Sequence, residues 1–574
     1  MGLRTPHFNE AICEVPWDVY PRPQLKRDSF LCLNGYWDIA ITSEDSRPTK
    51  FDEKIRVPFP PESELSGIGR LPGKYDFLHY KRTFTLPEGF NKGKLLLRFG
   101  AVDRLATVSV NGTVVGTHND GYLPFFADIT GLVTDGENEI YVKVKDNLSP
   151  LFPYGKQKKN RGGMWYTPVS GIWQTVWLES VPENYIQSIR ITPSLTGAEI
   201  TVIGGKGKKT LTLKESGEVY RFDGDTVTVS PKDVRLWSPE DPYLYYFTLK
   251  TENDEIESYF ALREVGICHT GGTSRLTLNG EPYLFNGLLD QGYYPDGIFL
   301  PPSPKSYEDD ILLAKRLGFN TLRKHIKLEP AIFYHLCDKL GIVVFQDMIN
   351  NSNYSFLRDT ALPTIGLKRK PDKCSHKNAL SRKAFEHCMR GVMNTLYNYP
   401  SVMYFTIFNE GWGQFAADEM YEKAKAIDPT RIIDTTSGWF QRKKSDVNSL
   451  HIYFKELKAK NDGRPLVISE FGGYSHRVEG HLFGTKNYGY TSYPSAGEFE
   501  LAVRKLYDTE VRELIKMGAS AFIYTQVSDV EDETNGFITY DRQVVKVEEE
   551  KVCRTMRSLT EEAKKFGMTE EEAK

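Results

Sequence analysis

The sequence predicts two β-sandwiches followed by a (β/α)8 barrel, and three observations lead to this fold class. Up to about residue 305 the chain shows short strands and turns, with no helical segment of useful length. After residue 268, apolar strands alternate with amphipathic helices, as in a barrel. The length of 574 residues suits about three or four domains. We expect a jelly-roll sandwich over 1–180, an immunoglobulin-like sandwich over 181–267 and a TIM barrel over 268–574.

The two sandwiches are predicted from the two-residue period of half-buried strands. Over 139–146 the apolar residues fall on every second position, and Asn111 with Gly112 between two Val-rich runs indicates a two-residue hairpin. The second domain repeats the pattern in TLTLKESGEVYRF, DTVTVS and YLYYFTLK. Its length, below about 100 residues, is typical of an immunoglobulin-like sandwich.

The barrel is predicted from eight apolar runs interleaved with helices. Helices after the fifth and sixth runs are expected to be short or missing, which makes the barrel irregular. The predicted strands are 284–288, 321–323, 342–347, 402–408, 431–436, 449–453, 466–470 and 520–526.

The helices and loops of the barrel follow from capping and breaking residues. We expect Ser306 to cap a helix that runs to Gly318, and a second helix over 331–340 that ends at Gly341. The stretch 350–378 is predicted to be a long loop, and its basic triplet 368–370 is interpreted as solvated. The last helix is expected over about 544–566.

Composition excludes several classes of protein. A hydrophobic content of 40% and 73 Lys+Arg against 76 Asp+Glu give no sign of disorder, nucleic acid binding or an anionic membrane partner. No apolar run approaches the roughly 20 residues that span a bilayer, and the first residues lack a secretory pattern. Seven scattered cysteines favour reduced thiols. We expect a cytoplasmic protein with a carbohydrate partner and leave homo-oligomerisation open.

Two carboxylates end predicted barrel strands. Glu410 follows Asn409 at the end of the fourth strand in FTIFNEGWG, and Glu470 ends the seventh in LVISEFGG. Barrel enzymes carry their active sites at the carboxyl ends of the strands. One such glutamate could simply anchor a loop through a salt bridge. Two of them suit glycosidic cleavage, which needs a protonated acid and an ionised carboxylate.

The motifs around these glutamates resemble those of glycoside hydrolase family 2, the β-galactosidases, β-glucuronidases and β-mannosidases. YPRPQLKRDSFLCLNGYWDIAI and PVSGIWQTVWLE resemble its sugar-binding-like sandwich, and GFNTLRKH, FNEGWG and ISEFGG resemble its barrel motifs. The resemblance implies that Glu410 is the general acid/base and Glu470 the nucleophile. It also implies that Asn409 donates to the sugar 2-hydroxyl and that Tyr453 hydrogen-bonds the nucleophile.

The same resemblance suggests further residues of a sugar pocket. Arg323 and His325 resemble second-strand residues that line the sugar subsite, although the family's Ser-His-Tyr-Pro is Lys-His-Ile-Lys over 324–327. Asp290, which ends the first strand, either binds two ring hydroxyls or is a turn residue. The acid-rich segment 529–542 is interpreted as a local network that holds the mouth together. The candidate pocket walls are Trp439, Trp412, Tyr524 and Gln526.

The predicted function is a retaining exo-β-glycosidase that acts on terminal β-linked sugars, with β-galactosidase leading on family frequency. The alternative is a β-glucuronidase or β-galacturonidase, in which Lys324, Lys327, Lys486 or Arg477 could pair with the sugar carboxylate. From another class, the chain could be a catalytically inert carbohydrate-binding protein on a hydrolase scaffold. No cofactor or metal is predicted, because the eleven His residues show no ligand spacing.

Overall fold

The computed structural model describes residues 2–364, 366–367, 372 and 376–567. Within these ranges the chain forms two antiparallel sandwiches, a connecting hairpin sheet and an eight-stranded parallel barrel. The predicted fold class is therefore confirmed. The basic triplet 368–370 and Cys374 lie outside the described residues, and the other six cysteines are free thiols.

The first sandwich packs a six-stranded sheet against a four-stranded sheet around one apolar core. The predicted hairpin is present: Asn111 and Gly112 have φ of 49° and 80°, the positive values that a type I′ turn requires. Two 3₁₀ turns, Phe8–Ala11 and Pro23–Leu25, precede the sheets. The strands are Phe30–Cys32, Gly35–Thr42, Glu53–Val57, Phe77–Phe84, Lys94–Phe99, Leu105–Val110, Thr113–Asn119, Phe125–Asp128, Asn138–Lys145 and Val176–Val181, with a short pair Val102–Asp103 and Gly171–Ile172.

The second sandwich joins the first to the outside of the barrel. The Asn398 side chain accepts from the amide of Ile191 at 2.8 Å and donates to the carbonyl of Ile189 at 2.8 Å, which ties a strand of this sandwich to the barrel. The strands are Ile186–Pro193, Ala198–Gly204, Lys209–Leu213, Val219–Phe222, Thr226–Val229, Tyr245–Lys250 and Glu255–Phe260, followed by the hairpin sheet Val265–Thr270, Thr273–Leu278 and Glu281–Pro282.

The barrel contains eight parallel strands, each within two residues of its predicted bounds. The hydrogen-bonded order is β5-β4-β3-β2-β1-β8-β7-β6, so the ladder is open between β5 and β6. No helix follows either of these two strands in 438–447 or 453–465, which are described throughout. The strands are β1 Phe285–Asp290, β2 Thr321–Lys324, β3 Val343–Asp347, β4 Val402–Asn409, β5 Ile432–Ser437, β6 Asn448–Ile452, β7 Leu466–Gly472 and β8 Ala521–Thr525.

The helices begin and end close to the predicted positions, with two corrections. The prediction that Ser306 caps α1 is wrong: Ser303 accepts from the amide of Lys305, and Pro304 occupies the first turn, where its fixed φ suits a helix start. The last helix begins at Glu549, because the preceding residues fold back, with Lys546 N donating to Phe537 O at 2.8 Å. The helices are α1 Pro304–Arg316, α2 Ala331–Leu340, α3 Ala379–Leu396, α4 Ala417–Ile427, α5 Ala496–Leu506, α6 Arg512–Lys516 and α7 Glu549–Gly567.

Short helical turns occupy parts of the chain between these elements. The stretch 350–378, predicted as a loop, contains turns at Leu357–Ala361 and Leu362–Thr364, and a further π-helical turn, Tyr507–Val511, separates α5 from α6. Among the described helices, none has both the length and the apolar character needed to cross a membrane.

A loop of the first sandwich, residues 154–167, reaches over the carboxyl ends of the barrel strands; we call it the sandwich loop. The amide of Gly155 donates to the carbonyl of Asn350 beyond β3 at 3.2 Å. At the other end of the loop, the Tyr166 hydroxyl donates to Glu533 Oε2 beyond β8 at 2.7 Å. The barrel mouth is therefore covered on one side by a different domain.

Candidate active site

Glu410 and Glu470 lie together at the carboxyl ends of β4 and β7. One oxygen of each carboxylate lies within 4.8 Å of the other, and Nδ1 of His451 belongs to the same group. The two side chains are 12% and 8% exposed, so both are accessible only from the mouth of the barrel. A carboxylate pair this close can act on one sugar ring.

A tight turn at the end of β4 presents Glu410 to the mouth. Glu410 has φ of 53° and Gly411 has φ of 71°. The amide of Glu410 donates to Ser437 O at 2.9 Å, and the amide of Trp412 closes the turn on Asn409 O at 3.0 Å. A bulky residue with positive φ is an outlier held by its surroundings, and such outliers cluster at functional sites.

Arg323, at the end of β2, connects the groups around the nucleophile candidate. Its guanidinium donates to Glu470 Oε1 at 3.1 Å, Asn409 Oδ1 at 2.9 Å and Asp347 Oδ1 at 3.0 Å, and to Ser469 O at 2.8 Å. The side chain is fully buried, so these bonds are sheltered from water. Arg323 thus fixes Glu470 and Asn409 relative to each other.

The surroundings of Glu470 keep its carboxylate ionised. Burial acts to raise the pKa of Glu470, but electrostatic interactions with His451, Arg323, His325 and Lys156 outweigh burial and lower the pKa to about 2. An ionised carboxylate is the form that can attack as a nucleophile.

Tyr453, directly after β6, supplies a further donor to Glu470. Its hydroxyl donates to Glu470 Oε2 at 2.8 Å and lies 2.8 Å from Thr525 Oγ1. The Tyr490 ring stacks on the Tyr453 ring at a centroid distance of 4.4 Å and holds its orientation. Tyr453 therefore contacts Glu470, the residue to which the family resemblance assigns its hydrogen bond.

His325 lies on the same side of the mouth, with Asp347 as its partner. Its Nδ1 is 2.6 Å from Asp347 Oδ2, and the ring is buried. Burial lowers the pKa of His325. Burial acts to raise the pKa of Asp347, but Arg323 and His325 lower it. A neutral His325 that donates from Nδ1 to an ionised Asp347 keeps Nε2 as an acceptor.

One of the predicted pocket walls lies beside the carboxylates, and two others are buried against other residues. Trp439 is half-buried with its ring 5.7 Å from the His451 ring, so it lies beside the carboxylates. Trp412 is buried against Trp165 of the sandwich loop at 5.1 Å. Gln526 is buried in a polar network, accepting from Gln291 and donating to Glu533 at 3.1 Å.

Tyr524 and Asp290 are not brought into the cluster around the glutamates. The Tyr524 ring packs against Phe471 at 5.6 Å on the helix side of β8, because alternation along the strand turns its neighbour Thr525 inward instead. Asp290 accepts from Lys324 and, at 2.8 Å, from the amide of Gly292. The structure thus favours the interpretation of Asp290 as a turn residue.

The cations considered for a sugar carboxylate are exposed or are already bonded to other groups. Lys324 donates to Glu329 at 2.8 Å, in addition to its bond with Asp290. Lys327 also bonds Glu329, at 2.7 Å. Lys486 is exposed, and Arg477 donates to its backbone carbonyl at 3.2 Å.

Sequence reasoning missed three residues of the site and placed a fourth, Glu533, only within the acid-rich segment 529–542 at the mouth. His451 Nδ1 lies 3.0 Å from Glu410 Oε1 and 3.5 Å from Glu470 Oε2. The sequence could have indicated His451, because it precedes Tyr453 by two residues and alternate residues of a strand share a face. Asp347 is the acid that ends IVVFQD. No pattern distinguishes the other two, Lys156 and Glu533, because loops bring them to the mouth.

The group of His, Cys, Asp and Glu residues that could share a metal ion, within the described part of the chain, is Glu410, His451 and Glu470. Glu470 already accepts from Arg323 and Tyr453. A guanidinium 3.1 Å from Glu470 opposes the approach of a second cation, so these contacts favour the carboxylates' use as reacting groups.

Three profiles of one family match the chain in order. They are described as glycosyl hydrolases family 2, sugar binding domain, over 68–182; glycosyl hydrolases family 2, over 184–263; and glycosyl hydrolases family 2, TIM barrel domain, over 274–544. These matches cover both sandwiches and the barrel, with Glu410 and Glu470 in the last of them.

Curated relatives share low identity over most or half of the chain. The β-galactosidase of Aeromonas hydrophila is 28% identical over 483 residues, which cover 74% of this chain and 44% of that protein. The β-galactosidase of Thermoanaerobacter pseudethanolicus is 26% identical over 326 residues, or 51% and 43%. The β-glucuronidase of Homo sapiens is 25% identical over 485 residues, or 73% and 70%. The chain thus spans less than half the length of the two bacterial relatives.

Solved structures share the fold over nearly the whole chain. A family 2 β-galacturonidase from Eisenbergiella tayi bound to galacturonate has a TM-score of 0.68 and 21% identity, covering 93% of this chain and 98% of that chain. A β-glucuronidase from Ruminococcus gnavus has a TM-score of 0.72 and 18% identity, covering 95% and 100%. With all three domains matched by one family's profiles, the chain belongs to glycosyl hydrolases family 2.

Proposed function

We propose that the protein is a retaining exo-β-glycosidase that hydrolyses terminal β-linked sugars by double displacement. The observation that carries this proposal is the carboxylate pair, with an oxygen of Glu410 within 4.8 Å of an oxygen of Glu470. Retaining glycosidases hold their two carboxyl groups about 5–5.5 Å apart, whereas inverting enzymes need about 6.5–9.5 Å to admit a water molecule.

The contacts of the two glutamates suit different roles. Glu470, ionised and held by Arg323 and Tyr453, attacks the anomeric carbon and forms a glycosyl ester. Glu410 protonates the departing oxygen and then, as a base, removes a proton from the water that hydrolyses the ester. Asn409, fixed by Arg323, is placed to bond the sugar 2-hydroxyl through its amide nitrogen, because its Oδ1 already accepts from Arg323.

The exo mode is supported by the sandwich loop. It contacts the barrel through Gly155, Tyr166 and Thr167, whose amide donates to Glu531 Oε1 at 2.8 Å. These contacts close one side of the mouth, so a chain of sugars cannot run through it in both directions. A terminal residue can still enter from the open side.

Two classes of sugar are candidates for the substrate. A neutral β-galactoside is the expectation from sequence and is supported by the two bacterial β-galactosidases. A β-uronide is supported by the relatives named β-glucuronidase and β-galacturonidase. The cation Lys156, which is largely buried and acts on the pKa of Glu470, favours the β-uronide.

The test is hydrolysis of a panel of nitrophenyl β-glycosides by the wild type, Glu470→Gln and Glu479→Gln. We expect Glu470→Gln to lose at least about 10³-fold in kcat, because the amide is not a nucleophile. Glu479, an exposed acid, is the matched control and should keep wild-type turnover. Proton NMR of the first product should give the β anomer.

Near-normal turnover by Glu470→Gln would contradict the assignment of the nucleophile. A first product with the α configuration would contradict the retaining mechanism. Sugar binding measured by calorimetry, together with no hydrolysis over long incubation, would instead support the inert carbohydrate-binding protein.

A further inference from the structure

Lys156 of the sandwich loop is a buried cation that lacks a direct partner. Its side chain belongs to a residue only 8% exposed, and no hydrogen bond or ion pair involves its ammonium in the ranges that the structure describes. The ammonium lies 6.0 Å from the centroid of the Trp165 ring. The ammonium keeps some exposure, so an anion that enters the mouth can reach it, and an unpartnered cation at that place favours a negatively charged ligand.

The charge of Lys156 acts on the catalytic pocket. It contributes to the lowered pKa values of Glu470 and His325, and it acts to lower the pKa of Glu533 against a larger effect of burial. The contacts of the sandwich loop place Lys156 over the mouth: the preceding Gly155 bonds Asn350 beyond β3, and the Lys156 carbonyl accepts from the amide of Tyr166 at 3.0 Å, whose hydroxyl bonds Glu533 beyond β8. It forms no ion pair with either glutamate.

We propose that Lys156 binds the carboxylate of a uronic acid and that the substrates are terminal β-uronides. This inference rests on the proposed glycosidase function and names its substrate class. A sugar hydroxyl would leave the ammonium charge unbalanced, whereas a carboxylate at C6 neutralises it and accepts its protons in a charge-assisted bond. The other candidate cations of the barrel, Lys324 and Lys327, are already bonded to Glu329.

Glu533 is the acidic group that a substrate carboxylate would meet beside Lys156. Its Oε2 accepts from the Tyr166 hydroxyl at 2.7 Å and from Gln526 Nε2 at 3.1 Å. Burial raises the pKa of Glu533 to about 7, so below that pH the group is largely uncharged and does not repel an anion.

The test compares substrates that differ only at C6. The pairs are nitrophenyl β-galacturonide with β-galactoside and nitrophenyl β-glucuronide with β-glucoside. We measure kcat/KM for the wild type, Lys156→Met, Lys156→Arg and Lys158→Met. Lys158 is the matched control, because it lies on the same loop 5.6 Å from the Trp165 ring but is exposed.

The wild type should prefer the uronide in at least one pair, and the better pair identifies the configuration at C4. Lys156→Met should reduce that preference by about 10- to 150-fold, which is the value of one bond to a charged group. Lys156→Arg should restore part of it, and Lys158→Met should keep it. Thermal unfolding of each variant checks that the fold is intact.

A wild-type preference for the neutral sugars would overturn the inference. So would an equal loss on both members of a pair in Lys156→Met, since that result assigns Lys156 to the electrostatics of Glu470 alone. If the wild type cleaves no glycoside, the proposed function fails independently. In that case, calorimetry measures the binding of free galacturonate and glucuronate to the wild type and to Lys156→Met. Loss of binding in Lys156→Met supports the role of Lys156, and unchanged binding overturns it.

Discussion

Replacing Arg323 with lysine should lower kcat by about 10- to 150-fold. The guanidinium bonds Glu470, Asn409 and Asp347 at 2.9 to 3.1 Å. The lysine ammonium keeps the charge but lacks the planar fork, so it loses at least one of these charge-assisted bonds. Each is worth about 1.5–3 kcal/mol, which at about 1.4 kcal/mol per factor of ten gives the stated range.

The assay measures kcat and KM on the best nitrophenyl glycoside, together with the melting temperature. The matched control is Arg431→Lys: Arg431 is equally buried but lies at the start of β5, where it donates to Val402 O at 2.8 Å and Tyr399 O at 3.2 Å. Both variants should melt at lower temperature, and Arg323→Lys alone should lose kcat. A kcat within about threefold of wild type for Arg323→Lys, or an equal loss in Arg431→Lys, would refute this reasoning.

Two further predictions separate the roles of the glutamates. Glu410→Gln should lose about 10²- to 10⁴-fold in kcat on glycosides with poor leaving groups. The loss should be much smaller on dinitrophenyl glycosides, because their leaving group departs without being protonated. Equal losses on both kinds of substrate would contradict the role of Glu410 as the acid. Tyr453→Phe removes a donor to Glu470 and so raises the pKa of that carboxyl. Activity needs the ionised form, which is lost as pH falls through that pKa, so the acidic limb of kcat/KM should move to higher pH; an unmoved limb would contradict it.

The barrel could be predicted from sequence because its signals are local. Apolar runs such as 402–408, bounded by breakers and alternating with amphipathic helices, identify strands that lie within two residues of the observed ones. The same locality explains why the sequence predicts that Glu410 and Glu470 lie together: each ends a run, and the topology brings strand ends to one rim. The capping residue of α1 was misplaced because Ser303 and Ser306 both suit a cap, and the Pro304 signal was overlooked.

The orientation of side chains around the rim was predicted less well. Tyr524 and Thr525 are neighbours, and a shift of one residue along β8 exchanges the side chain that faces the pocket. The motifs indicate Tyr453 but not His451, although the two lie on the same face, two residues apart, at the end of β6. Asp290 could not be distinguished from a sugar ligand, because its pairing with Lys324 depends on contact between two strands.

In the function proposed above, the reaction and the choice of sugar depend on different parts of the molecule. The proposed reacting groups and their positioning residues, including Arg323 and His451, lie on barrel strands or directly after them, and the packing of the strands fixes them. Lys156 comes from a loop of another domain, held over the mouth by Tyr166 and its bond to Glu533. Loops of this kind can change length and composition at little cost to the fold, whereas strand ends cannot. Motifs at strand ends therefore predict the class of bond that is cleaved, whereas the proposed recognition of the sugar by Lys156 depends on a contact between domains, which the sequence does not display.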